Sequence, residues 1–115
     1  MLEKMTEFEL DGLKYPAIFN LNVMEKIQDE YETMGKWSDL IDRENEEINV
    51  KALKFGIGAM INEGLDIENE KTENKKELLS DKEVGRLITK FGINNLTKRA
   101  MDNIIESTKV EEKNV

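Results

Sequence analysis

Any catalytic chemistry in this chain would have to use carboxylate, amine or hydroxyl groups, because its 115 residues include no His and no Cys. A Ser-His-Asp or Cys-His arrangement, a thiolate nucleophile and the usual nitrogen and sulfur ligands of structural zinc are therefore excluded. Disulfide bonds are excluded for the same reason. We expect a protein that is not an enzyme and that binds no cofactor.

Carboxylates are the most abundant reactive groups, with 25 acidic against 17 basic residues and a net charge of -8. Nothing in their spacing sets two of them across a cleft, as glycoside hydrolysis requires. The run from Asp66 to Glu70 brings several oxygen ligands together, but it lacks the spacing of a calcium-binding loop. We therefore predict no metal site, and we interpret the acidity as a source of solubility.

Two glycine-containing segments resemble phosphate-binding motifs only in part. Gly56-Ile57-Gly58 follows no predicted strand and has no third glycine at the required spacing. Gly35-Lys36 fails as a P-loop because position 30 is Glu where that motif needs Gly. We predict instead that the small residues at 56 and 58 let a neighbouring helix approach closely.

One segment has the opposite charge to the rest of the chain. Residues 82–99 contain five basic residues and a single acidic one, and Lys82, Arg86 and Lys90 recur every four residues on one helix face. Three interpretations are open: a solvated helix face, a docking surface for an acidic partner, and a helix-turn-helix-like reader of nucleic acid. The net charge of the whole chain opposes the last, so we do not expect a nucleic-acid partner.

The elements that would position these residues begin with a β-hairpin. Alternating apolar residues flank Asp11-Gly12, a pair typical of a two-residue type I′ turn. The register predicts that Phe8 faces Tyr15 and that Leu10 faces Leu13 on one apolar side. Pro16 makes the second strand an edge, and a free edge is a candidate site for self-association. Either helices or another chain must cover the apolar side.

Trp37 is the other notable apolar residue. A single Trp is most often a core residue, although its amphipathic ring also suits a binding surface. The candidate partner-binding residues are drawn from the hairpin face, this Trp and the basic stripe: Phe8, Leu10, Leu13, Tyr15, Trp37, Lys82, Arg86 and Lys90.

Five helices are predicted from apolar residues that recur at three- and four-residue intervals. The first begins at a cap formed by Asn20 or Asn22 and ends at Gly35, and the third ends at Gly64. The predicted buried stripes of the first three helices are Leu21, Met24, Ile27, Tyr31 and Met34, then Trp37, Leu40 and Ile41, then Val50, Leu53, Ile57, Met60 and Ile61.

The fourth helix begins with the capping-box pattern of Ser80 and Glu83 and ends at Gly92. The predicted buried stripes of the last two helices are Val84, Leu87, Ile88 and Phe91, then Leu96, Ala100, Met101, Ile104 and Ile105. The fold class is therefore α+β and mainly α-helical. We expect a single domain over residues 1–108 with a mobile acidic loop at 66–77, and a flexible polar tail at 109–115.

The first ten residues contain no apolar signal core, and no apolar stretch is long enough to span a bilayer, so we expect an intracellular protein with no membrane partner. The layout resembles that of the tail assembly chaperones of tailed phages and related prophage elements. The resemblance covers about residues 7–91 and rests on the hairpin of 8–16, the helical segment 24–27, a small-residue helix, and an acidic loop leading into 83–88.

This resemblance implies a cytoplasmic, non-enzymatic protein of the host bacterium that acts in virion morphogenesis. Such a chaperone keeps the long, apolar tape measure protein soluble and helps recruit tail tube protein before the tail polymerises. The alternative is a small helix-turn-helix-like regulator that binds nucleic acid through residues 82–99.

Overall fold

The structure, a computed structural model, describes residues 5–10, 12–43 and 46–113, with only the backbone of Leu10 and of residues 108–113. An N-terminal hairpin is followed by helices, which confirms the predicted α+β, mainly helical fold class. The elements are β1 (Met5–Leu10), β2 (Leu13–Ile18), α1 (Leu21–Tyr31), α2 (Met34–Ile41), α3 (Val50–Glu70), α4 (Asp81–Phe91) and α5 (Ile93–Lys113).

The hairpin has the predicted register. Phe8 lies opposite Tyr15 and Leu10 opposite Leu13, which leaves a two-residue turn whose Gly12 has a φ of 81°. Glycine adopts that conformation without steric cost; its partner in the turn, Asp11, lies outside the described residues. Counted from the turn, Pro16 falls at a non-hydrogen-bonded pair with Glu7, so its missing N–H removes no bond from the ladder.

Helix α3 is the central element, and it contacts β2, α1, α2 and α4. Its small residues permit these close approaches. A Cβ added to Gly56 would lie 2.1 Å from the Trp37 ring, and one added to Gly58 would lie 3.2 Å from Val84. The predicted packing role of the Gly56-Ile57-Gly58 segment is thus confirmed. The Trp37 indole is fully buried there and donates from Nε1 to the Ala52 carbonyl oxygen at 2.9 Å.

Two predicted helix ends are wrong. Helix α1 ends before Gly35, at Tyr31, because Glu32 adopts a φ of 72° and the Thr33 side chain caps a new helix by accepting from the Lys36 N–H at 3.0 Å. Helix α3 passes through Gly64, where an added Cβ would lie 3.0 Å from the Pro16 backbone. The glycine therefore serves the contact with β2 and does not end the helix.

Part of the predicted loop at 66–77 is also helical. Helix α3 continues to Glu70, and only residues 71–80 connect it to α4. The last turns of α3 carry few apolar residues, and the side-chain amide of Asn69 attaches them to this connection. Likewise the backbone of the predicted tail at 109–115 is helical through Lys113, and residues 114–115 lie outside the described part.

The predicted stripes form most of the core, and Asn20 and the Ser80–Glu83 capping box begin α1 and α4 as expected. Leu21 is an exception: it is exposed, and Val23 is buried instead, because residues two apart lie on opposite sides of a helix. Val50 and Ile105 are exposed as well. In the described ranges, no helix is both long and apolar enough to cross a bilayer.

A candidate protein-binding cleft

An open cleft lies where the hairpin meets α4. It has a volume of about 250 Å³, and a second depression of about 180 Å³ adjoins it. The two share Leu13, Tyr15 and Leu79, so we treat them as one surface and call it the hairpin cleft. Its full lining is Leu13, Lys14, Tyr15, Leu65, Lys76, Glu77, Leu79, Glu83, Arg86, Leu87 and Lys90.

Strand β2 supplies one wall. Leu13 and Tyr15 are two residues apart and therefore project from the same face of the strand. At the far end of this face Phe8 is buried and meets the Phe91 ring edge-to-face, with the ring centroids 5.8 Å apart. Leu13 is 61% exposed. The predicted apolar side is thus covered by α4 at one end and open at the other.

Helix α4 supplies the opposite wall and its charge. Leu87 is buried at the base, while Arg86 and Lys90 are exposed and stand one helical turn apart. Neither cation is within ion-pair distance of a carboxylate in the part of the chain that is described. The cleft therefore presents cationic groups beside apolar ones.

Glu83 also lines the cleft, but its carboxylate takes part in the helix cap. Its Oε1 accepts from the Ser80 N–H at 3.0 Å, and its own N–H donates to Ser80 Oγ at 3.2 Å. The hydrogen bond that the carboxylate accepts from the Ser80 N–H lowers the pKa of the Glu83 carboxyl from its ordinary 4.5, and the Ser80 side chain and the nearby Arg86 charge lower it further. Its negative charge is thus held at the N-terminus of α4, where the helix dipole favours it.

The third wall is the connection before α4, and two asparagines of α3 hold it. Asn62 Nδ2 donates to the Leu79 carbonyl oxygen at 3.0 Å, and its Oδ1 accepts from the Leu79 N–H at 2.7 Å. Asn69 forms the same pair of bonds with Lys76, at 2.8 and 2.9 Å. We call these the two amide clamps. Each satisfies both polar groups of one backbone residue, as a neighbouring strand would.

The spacing of the clamps explains the path of the connection. Seven residues of helix rise about 10.5 Å between Asn62 and Asn69. Three extended residues, from Lys76 to Leu79, span about 10 Å. Because the two lengths match, residues 76–79 run back along α3 in an extended form and bring Leu79 to the cleft.

The structure brings together half of the predicted candidate residues. Leu13 and Tyr15 from the hairpin meet Arg86 and Lys90 from the basic stripe in one cleft, although the two sets were predicted separately. Lys82 is exposed on α4 but does not line the cleft, and the Leu10 side chain lies outside the described residues.

Phe8 and Trp37 have a different role. They are only 2% and 0% exposed, so they pack inside the molecule and present no surface to a partner. Phe8 is buried because Phe91 covers its ring, and Trp37 is buried because Gly56 leaves room for the indole.

Sequence reasoning missed the amide clamps and the contribution of Leu79. A signal for Leu79 was available, since it precedes the Ser80 cap at the position where a hydrophobic staple packs on the first turn of the helix. A weaker signal for the clamps was the seven-residue spacing of Asn62 and Asn69, which places both on one helix face. Their partners, however, are backbone groups of a connection without regular structure, 17 and 7 positions further along the chain, and no periodicity indicates such bonds.

Other surfaces offer less. A groove of about 360 Å³ runs along α5, but its Asp42, Arg43, Lys98 and Asp102 give it no net charge, and it borders residues outside the described ranges. Among the residues that the structure describes, no group of three or more carboxylates is placed to hold a metal ion. In the described part of the chain the hairpin forms a two-stranded sheet, and Glu7 and Glu9 are exposed on β1. If two copies paired through the β1 edge, their glutamates would lie close together and repel each other.

The fold and the cleft together define a small, mainly helical protein with an open, partly apolar and cationic surface. Comparison of the chain with protein-family models, with curated proteins and with solved structures finds no match in any of the three.

Proposed function

We propose that this protein is a non-enzymatic tail assembly chaperone of a tailed phage or prophage, which binds the tape measure protein and helps recruit tail tube subunits. The observation that carries the proposal is the hairpin cleft, where an exposed Leu13 lies beside half-buried apolar residues. An exposed apolar surface with a polar rim is typical of a protein-binding site. The resemblance in layout to that family supports the same assignment.

The proposed action is to cover apolar segments of the tape measure protein before assembly. The apolar groups of the cleft would bury such a segment, while the net charge of -8 would keep the complex soluble. Because the cleft extends along only about two turns of α4, each contact is small, and a small contact area favours reversible binding. Reversibility suits a protein that must release its partner. The proposed place of action is the cytoplasm of the host bacterium.

The geometry gives less support to a helix-turn-helix reader. A single residue, Gly92, separates α4 from α5, whereas the turn of that motif has three or four residues. The basic segment 82–99 alone supports this alternative, and binding of duplex DNA tests it.

Co-expression with fragments of the tape measure protein from the same phage or prophage tests the proposal. The chaperone should raise the soluble fraction of a fragment and co-purify with it. Leu13→Gln should weaken co-purification, because it removes an exposed apolar side chain from the cleft. Leu21→Gln is the matched control: Leu21 is 65% exposed against 61% for Leu13, but it lies on α1 away from the cleft.

If no fragment co-purifies, the proposed function is wrong. If the Leu13 and Leu21 variants lose binding equally, the function stands but the cleft is not its site. Binding of duplex DNA in a salt-dependent way, with no fragment bound, would favour the regulator instead.

A further inference from the structure

We infer that the hairpin cleft recognises one chemical class of partner, an amphipathic helix whose polar edge carries carboxylates one turn apart. The inference rests on the proposed function in that it takes the protein to act by binding another chain. It adds which feature of that chain is recognised and which two residues recognise it, Arg86 and Lys90.

The charges of the cleft argue for an acidic partner. Four cations line it, Lys14, Lys76, Arg86 and Lys90, against the two carboxylates of Glu77 and Glu83. The Glu83 carboxylate is hydrogen-bonded to the Ser80 N–H and lies near Arg86, and four cations against two carboxylates still leave the lining with two excess positive charges. This positive surface complements an acidic ligand, whereas a second copy docked cleft to cleft would set the same cations against each other.

The shape of the cleft argues for a helix rather than an added strand. A strand would have to pair with the outer edge of β2, but Pro16 offers no N–H there. The same segment is buried against α3, where the Pro16 backbone meets Gly64. Contacts to this surface must therefore come from side chains, as they do when an amphipathic helix lies in a groove.

The spacing of the two cations fits the ligand. Arg86 and Lys90 are four residues apart on α4, which places their Cβ atoms about 5–6 Å apart on one face. Carboxylates at positions i and i+4 of a partner helix have the same separation. Leucines on the adjoining face of that helix would contact Leu13, Leu79 and Leu87, the leucines that line the same cleft.

A peptide series tests this directly. Three labelled helical peptides share one leucine face and differ only in the residues at two edge positions one turn apart, which are Glu, Gln or Lys. We expect the Glu peptide to bind about tenfold more tightly than the Gln peptide, as two exposed ion pairs allow. We expect the Lys peptide to bind most weakly, and added salt to remove most of the difference.

Matched variants of the protein locate the effect. Arg86→Gln with Lys90→Gln should reduce binding of the Glu peptide to the level of the Gln peptide. Lys82→Gln with Lys98→Gln removes the same charge from exposed positions outside the hairpin cleft, so binding should stay within about twofold of the wild type. Equal binding of the three peptides, or equal losses in the two double variants, would overturn the inference.

Two further measurements exclude other occupants. If a duplex DNA displaces the Glu peptide at low concentration and needs Arg86 and Lys90 to do so, the cleft recognises phosphate and the inference is wrong. If sedimentation shows dimers that dissociate in the Arg86 and Lys90 variant, the occupant is a second copy and the inference is again wrong.

The tape measure fragments separate this inference from the proposed function. Fragments that bind the wild type and the Arg86 and Lys90 variant equally well would leave the function intact and refute the inference. Tight, Glu-dependent peptide binding without any bound fragment would support the inference and refute the proposed function.

Discussion

Replacing Gly56 with Ala should destabilise the protein even though Ala is the better helix former. The added Cβ would lie 2.1 Å from Trp37 Cζ2 and 2.8 Å from Cε2, whereas carbon atoms in contact are about 3.5–4 Å apart. The ring would therefore have to move by more than about 1 Å inside a packed core, where such overpacking costs about 1–3 kcal/mol. The helix propensity of Ala returns about 1 kcal/mol of this.

Because the clash is with a rigid ring, we expect a cost at the upper end of that range and a net loss of about 2 kcal/mol. For a domain of this size, that loss lowers the melting temperature by about 8 °C. Urea unfolding followed by circular dichroism measures the free energy, and calorimetry measures the temperature. The hydrogen bond from Trp37 Nε1 to the Ala52 carbonyl oxygen should be weakened by the same displacement, which adds to the loss.

Gly35→Ala is the matched control. It makes the same substitution in a helix, but the added Cβ would lie 3.8 Å from Thr33 Oγ1, an ordinary contact. We expect this variant to be more stable than the wild type by about 0.5 kcal/mol. A double-mutant cycle adds a second check: in a Trp37→Phe background the smaller ring should reduce the cost of Gly56→Ala. A Gly56→Ala protein as stable as Gly35→Ala would refute the packing described here.

The other predictions concern the walls of the cleft. Asn62→Ala should lower the free energy of unfolding by about 2 kcal/mol, since it removes two hydrogen bonds and leaves the Leu79 backbone groups partly buried without them. Asn69→Ala, at an exposed clamp, should cost about half as much, and equal losses in urea unfolding would contradict this account. The lowered pKa of Glu83 means that its contribution to stability is complete above pH 4.5 and is lost as the pH falls through the folded-state pKa. Glu83→Gln keeps an acceptor for the Ser80 N–H but cannot titrate, so its stability should fall less between pH 6 and pH 3; identical pH profiles would show that the cap carries no charge effect.

Some features of the fold that depend on residues close together in the sequence were predicted correctly. The hairpin register follows from the turn and the alternation of apolar residues on either side of it, and the α4 cap follows from Ser80 and Glu83, three residues apart. Gly35 and Gly64 were predicted as helix ends because glycine often ends helices. At Gly64 a contact with a residue far away in sequence overrides that tendency, and at Gly35 the Thr33 cap does so.

The candidate site was predicted only in pieces. The apolar hairpin face and the basic stripe each followed from periodicity, but their meeting depends on how α4 crosses the hairpin, which periodicity does not determine. One amide clamp joins Asn62 to Leu79 across 17 positions and the other joins Asn69 to Lys76 across seven, and both use hydrogen bonds, whereas a packed helix is usually recognised by its apolar contacts. A polar stretch can therefore belong to the ordered structure when its side chains bond to backbone.

The cations also explain why the cleft is open. Closing α4 onto Leu13 would bury Arg86 and Lys90 against apolar groups, and burying a charge without a partner costs several kcal/mol. Full burial of a leucine side chain stabilises a protein by about 1.5–3 kcal/mol, and Leu13 is already partly buried, so the further stabilisation would be smaller than this. The chain alone therefore keeps both the cations and the leucine at the surface. A partner that brings both carboxylates and leucines would pair with the cations, so that Leu13 could be buried without the cost of burying an unpaired charge. The residues that keep the cleft open in the isolated chain would thus also determine which partner binds in it.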